Sequence, residues 1–179
     1  MFFTIAPGES WSKEGVAMEI INIPVSGGCQ CGAIRYHSDA VMDNSHLCHC
    51  RMCQKAVGNL FAALVSAPKA MVRWTRGTAS TWRSSENVER GFCSCCGTPL
   101  FYNDLASDRI GFTVGSLDNP AAFPPVTHEG IEGRMAWFAM LNDVPDCGET
   151  AQPSQSIWAA AIKASNRQHP DHDTKEWHK

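Results

Sequence analysis

The sequence predicts a mainly β fold, and three observations support this class. From about Val25 onward the chain consists of short apolar stretches separated by glycines, a pattern typical of strand-rich domains. Helical periodicity is confined to two short segments, near residues 51–57 and 155–165. The chain carries nine cysteines, most of them in short-spaced groups, which favours metal binding or catalysis over a disulfide framework.

Composition and charge exclude several classes of protein. The 179 residues are 44% hydrophobic and 18% charged, with a mean hydropathy of −0.22, as expected for one globular domain. No apolar run approaches the roughly 20 residues that cross a bilayer, and a net charge of −3 gives no attraction to nucleic acid or anionic lipid. The amino-terminal stretch lacks the features of a secretory signal. We therefore expect a reducing, cytoplasmic location without membrane or nucleic-acid partners.

The strands are predicted from short alternating or wholly apolar segments. Residues 71–75 and 78–82 are predicted to form a hairpin across Arg76-Gly77. A short helix is predicted over Arg51–Val57, ended by Gly58, and Pro120, Pro124 and Pro125 indicate an irregular loop. The other predicted strands are 33–37, 60–65, 89–92, 100–102 and 109–114.

The domain organisation follows from these patterns. Residues 1–22 have no steady period and are interpreted as an amino-terminal extension, followed by the metal-binding domain at 23–150. Residues 151–179 form a carboxyl-terminal extension, with a helix from about Gln155 to Ser165 that Ser154 would cap. Its apolar face comprises Ile157, Trp158, Ala161 and Ile162. The polar tail beyond it is expected to be mobile, and its histidines have no metal-ligand context.

Four cysteines have the spacing of a structural metal site. Cys29-x-Cys31-Gly32 and Cys93-x-x-Cys96-Gly97 are short pairs followed by a glycine, which tolerates the positive φ of a tight turn. Two such pairs on adjoining turns would form a closed tetrahedral Zn(II) site. The alternatives are buried free thiols or a disulfide, and Cys95 is a spare thiol within the second pair.

A second group, Cys48-x-Cys50-x-x-Cys53, lies at a strand-to-helix junction. An extended backbone places Cys48 and Cys50 on one face, and the first helical turn brings Cys53 beside them. Three ligands leave the fourth position open, as in catalytic zinc sites. A closed site is the alternative, with His46 as the main candidate for the fourth ligand and Cys95 and Cys147 as further candidates. His49 would face the other way.

The ligand set indicates the chemistry of an open site. Three thiolates soften the metal and favour binding of a further sulfur. A thiol entering the fourth position would lose its proton and become the nucleophilic thiolate. The residues therefore indicate the making or breaking of a carbon–sulfur bond.

The cysteine motifs also resemble a known family. Segments Gly27-Gly28-Cys29-Gln30-Cys31-Gly32, Cys48-His49-Cys50-x-x-Cys53-Gln54-Lys55 and Phe92-Cys93-x-x-Cys96-Gly97-Thr98-Pro99-Leu100 resemble the glutathione-dependent formaldehyde-activating enzymes, a family that includes the centromere-protein-V-like proteins. Trp137 and the segment Leu141-Asn142-Asp143-Val144-Pro145 are similar to its carboxyl-terminal end.

The resemblance implies a β-tent fold of small stacked antiparallel sheets with two zinc ions per chain. It implies a structural site at Cys29, Cys31, Cys93 and Cys96 and a catalytic site at Cys48, Cys50 and Cys53. The activity it implies is the addition of glutathione to formaldehyde, giving S-(hydroxymethyl)glutathione, a carbon–sulfur lyase reaction run in reverse.

Glutathione carries two carboxylates, so its site needs cationic or N–H partners. Arg51 and Lys55 flank the catalytic cysteines, and Gly58 would let a ligand or neighbouring backbone approach. Further options among the cations are Arg73, Arg76 and Arg90. His128-Glu129 could relay a proton, while Phe61, Trp74 and Trp82 are expected mainly in the core. For each cation the competing interpretation is a solvated surface residue.

Two rival functions remain open at this point. The first is a non-catalytic zinc module that binds a partner, which a closed second site would favour. The second is an enzyme resembling methionine sulfoxide reductase, in which Cys95 or Cys147 would be the reactive thiol. The sequence does not predict the oligomeric state.

Overall fold

A computed structural model describes residues 18–146, 148 and 157–177, and it confirms the mainly β fold. Two α-helices are present in this part of the chain, α1 (Arg51–Val57) and α2 (Ile157–Ser165). The strands are β1 (Ile20–Ile21), β2 (Val25–Gly28), β3 (Arg35–Ser38), β4 (Val41–Met42), β5 (His46–Cys48), β6 (Ala62–Pro68), β7 (Val72–Arg76), β8 (Ser80–Arg83), β9 (Val88–Phe92), β10 (Pro99–Asp104), β11 (Arg109–Thr113) and β12 (Thr127–Glu129).

The strands form three sheets. The largest has seven strands in the order β12-β5-β6-β11-β10-β9-β8, and the others are β2-β3-β7 and β1-β4. The pairing is antiparallel throughout these sheets except between β5 and β12, which are parallel. The predicted class of small antiparallel sheets with a short helix and a carboxyl-terminal helix is thus confirmed.

Aromatic packing joins the three-stranded sheet to the seven-stranded one. The ring of Tyr36 on β3 stacks on Phe112 of β11, with centroids 4.1 Å apart and planes 8° apart. Its hydroxyl shares a 2.7 Å hydrogen bond with Ser116 Oγ, which satisfies its polar group within the core. A Cβ at Gly27 would lie 2.5 Å from this hydroxyl, so only glycine fits there. The core therefore lies between these two sheets.

One face of the seven-stranded sheet carries Cys48, Arg90 and Tyr102. Directly paired residues on neighbouring strands project from the same face, so the register fixes which side chains lie together. We call this surface the site face. Its residues include Trp82, Arg90, Tyr102, Gly111, Leu64, Ala62, His46, Cys48 and Glu129. Helix α1 lies over this face, because Cys53 packs with Ala62 and Leu64.

The predicted hairpin across Arg76-Gly77 is wrong. Strands β7 and β8 occur close to the predicted positions, but they do not pair with each other. β7 pairs with β3 in the three-stranded sheet, and β8 pairs with β9 at the edge of the seven-stranded sheet. The short connection between them therefore passes from one sheet to another.

Parts of the two predicted extensions contact the body of the domain. Strand β1 lies within residues 1–22 and pairs with β4. At the other end, α2 leaves Ile157 93% exposed and Trp158 72% exposed, while the polar tail after it makes specific contacts described below. The predicted cap Ser154 lies outside the described residues. Among those that are described, no helix has the length and apolar character needed to span a membrane.

Candidate metal centres and active site

Cys29, Cys31, Cys93 and Cys96 form one group, the four-cysteine cluster. Their sulfurs all lie within 4.8 Å of one another. The Sγ atoms of Cys29 and Cys31 are 3.5 Å apart, and those of Cys31 and Cys93 are 3.9 Å apart. A tetrahedral zinc with bonds of about 2.3 Å requires sulfurs about 3.8 Å apart. The four thiols therefore fit a zinc ion.

The turns that carry the four-cysteine cluster have the predicted geometry. Gly32 and Gly97 adopt φ values of 78° and 79°, a region that favours glycine. The Ile34 N–H donates to Cys29 Sγ at 3.3 Å, as expected for a metal-binding turn. Cys95 is exposed and lies outside the cluster.

Cys48, Cys50 and Cys53 form the second group, the three-cysteine cluster, with sulfurs also within 4.8 Å of one another. Cys48 ends β5, Cys50 is the N-cap of α1, and Cys53 lies in the first turn. The Cys50 sulfur accepts the Cys53 N–H at 3.4 Å. Within the described ranges, no histidine, cysteine or carboxylate joins this group as a fourth ligand. Its donor set fits a zinc ion, and Cys147 lies outside the described residues.

His46 and His49 lie on opposite sides of β5. His46 is held away from the cluster, with Nδ1 2.8 Å from the Asn44 carbonyl oxygen and Nε2 3.8 Å from Glu129 Oε2. His49 is fully buried, and its Nε2 shares a 2.8 Å hydrogen bond with His128 Nδ1. The predicted His128-Glu129 pair is therefore divided, with Glu129 on the site face and His128 behind it.

The electrostatics of the three-cysteine cluster favour a thiolate at Cys53. Hydrogen bonding from Cys48, together with Arg90, lowers the pKa of Cys53 to about 5 against the opposing effect of burial. The same interaction with Cys53 raises the pKa of Cys48. Such a cluster needs positive charge nearby, which a metal ion and Arg90 can both supply.

Arg90 is the site residue that its sequence context does not distinguish from other cations. The sequence offers it as one of several candidate substrate-binding cations. In the structure it is only 8% exposed, and its Nη2 donates to Cys53 Sγ at 3.5 Å. Its guanidinium carbon lies 5.1 Å from the centre of the Tyr102 ring, and Nε donates to Ser84 Oγ at 3.2 Å. The sequence places Arg90 two residues before the end of a predicted strand. That position does not reveal that its side chain contacts Cys53 on α1.

The three-cysteine cluster opens into a cavity of about 260 Å³, the cysteine cavity. Besides Cys48, Cys50 and Cys53, its lining includes His46, Leu64, Arg90, Tyr102, Arg109 and Glu129. The arrangement places three cysteine sulfurs and a buried cation beside space for a small molecule. Chemistry at a substrate sulfur or carbonyl is thus feasible here.

The predicted substrate residues lie at different places. Arg51 and Lys55 are exposed on α1 and line a separate cavity of about 520 Å³ together with Trp82 and Arg90. Trp82, expected in the core, is 62% exposed. Gly58 has φ 64° and ends the helix; it lies in none of the described cavities. Its predicted part in ligand binding stays a prediction.

Comparisons with known proteins agree with the motifs. Residues 24–131 match the model of a family described as glutathione-dependent formaldehyde-activating enzyme. A protein of Schizosaccharomyces pombe named "Uncharacterized lyase" is 30% identical over 143 residues, which span 78% of this chain and 94% of that protein. A crystal structure of a Rhodobacter sphaeroides protein has a TM-score of 0.49 at 21% identity, covering 57% of this chain and 98% of that one.

Proposed function

The chain belongs to the glutathione-dependent formaldehyde-activating enzyme family, and from this membership we propose a zinc-dependent carbon–sulfur lyase. In the synthetic direction it would add the thiol of glutathione, or of a related small thiol, to formaldehyde or another small aldehyde. The observation that carries this proposal is the three-cysteine cluster opening into a cavity beside the buried Arg90.

The chemistry needs a thiolate and an oriented carbonyl group. A zinc ion held by Cys48, Cys50 and Cys53 would leave one position for a substrate thiol and lower the pKa of that thiol. The protein's own contribution is positional, since it fixes the sulfur and the carbonyl carbon within one cavity. Arg90 balances the negative charge of Cys53 and keeps that side chain in place.

Recognition of glutathione requires partners for its carboxylates. Arg51 and Lys55 can meet them, because both residues are exposed on α1. They line the cavity next to Arg90, so a peptide-like thiol bound there could reach the three-cysteine cluster. Charged carboxylates would be bound near solvent, where their desolvation costs little.

The first prediction concerns Cys50. We expect Cys50→Ser to lose one zinc ion per chain and to abolish catalysis while the fold is retained, because the four-cysteine cluster is unchanged. Zinc is measured by mass spectrometry, and catalysis by exchange NMR of glutathione with formaldehyde. Cys95→Ser is the matched control, since Cys95 lies outside both clusters, and it should keep its zinc and activity. Full turnover in Cys50→Ser would contradict the proposal.

A further inference from the structure

A third cavity lies between α1 and the site face, and we call it the apolar cavity. Its volume is about 390 Å³. Carbon-rich side chains from the helix and from four strands form most of its wall, and Arg90 is the charged residue in this lining. A group with several charges would therefore lose most of its hydration there with little compensation. The apolar residues lining it are Ala56, Val57, Ala62, Leu64, Trp82, Phe92, Pro99 and Phe101.

The apolar cavity shares a wall with the cysteine cavity. Leu64, Arg90 and Tyr102 line both, and all three project from the site face. Cys53 is against this wall, since it packs with Leu64 and Tyr102 and accepts a hydrogen bond from Arg90. The apolar cavity is therefore adjacent to the three-cysteine cluster, and a substituent on a sulfur bound there would lie beside it.

We propose that the apolar cavity binds the hydrocarbon substituent of the aldehyde, so that the substrate class includes alkyl and aryl aldehydes larger than formaldehyde. The inference rests on the proposed function. Glutathione carries two carboxylates and an ammonium group, and these are unsuited to an apolar wall. Its carboxylates match the cationic side chains of Arg51 and Lys55 in the neighbouring cavity instead. The substituent on the carbonyl carbon is the remaining part of the adduct that matches the apolar cavity.

The volume fits a substituent of several carbons. An apolar cavity of about 150 Å³ already holds a benzene molecule, so about 390 Å³ has room for a substituted ring or a medium alkyl chain. Formaldehyde has no substituent and would leave this space unused. Binding energy from the remote group can then help to orient the reacting carbon.

The bond changes are those of a simple addition. The thiolate sulfur forms a bond to the carbonyl carbon, and the π electron pair of the C=O bond moves to oxygen. The oxygen takes up one proton, and this balances the proton that the thiol released on ionisation. Thiol and aldehyde thus give the hydroxyalkyl thioether without any oxidant or reductant.

The test measures binding of S-methylglutathione and S-hexylglutathione to the zinc-loaded protein by calorimetry. These thioethers present the sulfur and its carbon substituent together. A fully buried methylene improves affinity by about fourfold, so we expect the hexyl compound to bind at least about tenfold more tightly than the methyl compound. Equal dissociation constants would overturn the inference.

Two variants locate the effect. Val57 lines the apolar cavity and neither of the other two, so Val57→Phe should remove the advantage of the hexyl compound and leave the methyl compound unchanged. Phe92 also lines the apolar cavity, at the end of β9. Phe92→Ala should reduce the same advantage by truncation, and it replaces Val57→Phe if that variant fails to fold. Ala160→Phe adds the same ring to an exposed position on α2 and should change neither constant.

A probe without glutathione separates this inference from the proposed function. Hexanal is titrated into the protein and followed by NMR. Binding of hexanal that Val57→Phe abolishes, without binding of either thioether, would support the cavity and overturn glutathione as the thiol. Binding of both thioethers with equal affinity would support the proposed function and overturn the inference. No binding of any probe would overturn both.

Discussion

Arg90 places a positive charge beside Cys53, and its replacement tests that role. Its guanidinium lies 3.5 Å from the Cys53 sulfur and is otherwise enclosed by Tyr102 and Ser84. Groups that orient metal ligands typically change affinity or activity by about 10–100-fold when they are removed. We expect Arg90→Met to lower turnover by about that factor, and Arg90→Lys, which retains the charge, to lower it less.

The measurement is turnover together with zinc content. Arg83→Met is the matched control, because Arg83 is exposed on the adjacent strand β8. It should leave both quantities unchanged. Turnover of Arg90→Met within about twofold of the unmodified protein would show that Arg90 acts only in packing.

At the scale of single residues, spacing along the chain predicts contacts between residues that are close in sequence. Cys48, Cys50 and Cys53 meet within one strand end and one helical turn, so their separation in sequence sets their separation in space. Arg90 reaches Cys53 only because β9, β10, β11 and β6 align in one sheet. That register depends on strand pairing distant in sequence, which one sequence does not specify.

At the scale of elements, the same distinction explains the success with α1 and the error with the hairpin. Helix α1 begins and ends at the predicted residues, since its cap and Gly58 are local signals. Strands β7 and β8 also lie close to their predicted positions. The turn between them, however, indicates a pairing that is absent from the sheets of the described residues. Apolar patterns specify that a strand exists, whereas its partner depends on long-range packing.

The carboxyl-terminal tail braces the turn that carries Cys29 and Cys31. The His169 N–H donates to the Gln30 carbonyl oxygen at 2.7 Å, and its imidazole occupies the space that a Cβ at Gly32 would need. Arg76 contacts the His169 ring at 3.2 Å and also donates to the Thr174 carbonyl oxygen. The tail is thereby joined to both the turn and the edge of the three-stranded sheet.

We expect His169→Ala to destabilise the protein by about 1–3 kcal/mol, because a buried, hydrogen-bonded ring is lost. The variant should also release zinc from the four-cysteine cluster to a coloured chelator faster, because the His169 ring no longer packs on the turn that carries Cys29 and Cys31. Thermal unfolding and chelator kinetics measure the two effects. His172→Ala is the control, because His172 is exposed on the same tail. Identical kinetics in both variants would contradict a bracing role.

At the scale of the whole molecule, the four-cysteine cluster ties two sheets together. Cys29 and Cys31 lie between β2 and β3 of the three-stranded sheet, while Cys93 and Cys96 lie between β9 and β10 of the seven-stranded sheet. The three-cysteine cluster instead lies at the junction of one strand with α1. The two clusters therefore differ in what their loss should do to the fold.

Comparing Cys93→Ser with Cys50→Ser tests this difference. A structural zinc supplies about 10–16 kcal/mol of apparent binding free energy, whereas a domain is stable by only about 5–15 kcal/mol. Removal of one ligand from the four-cysteine cluster should thus unfold much of the population at room temperature, visible as loss of the β circular-dichroism signal. Cys50→Ser should melt near the unmodified protein. If Cys93→Ser melts at the same temperature as Cys50→Ser, the aromatic packing of Tyr36 on Phe112 is sufficient to hold the sheets without the metal.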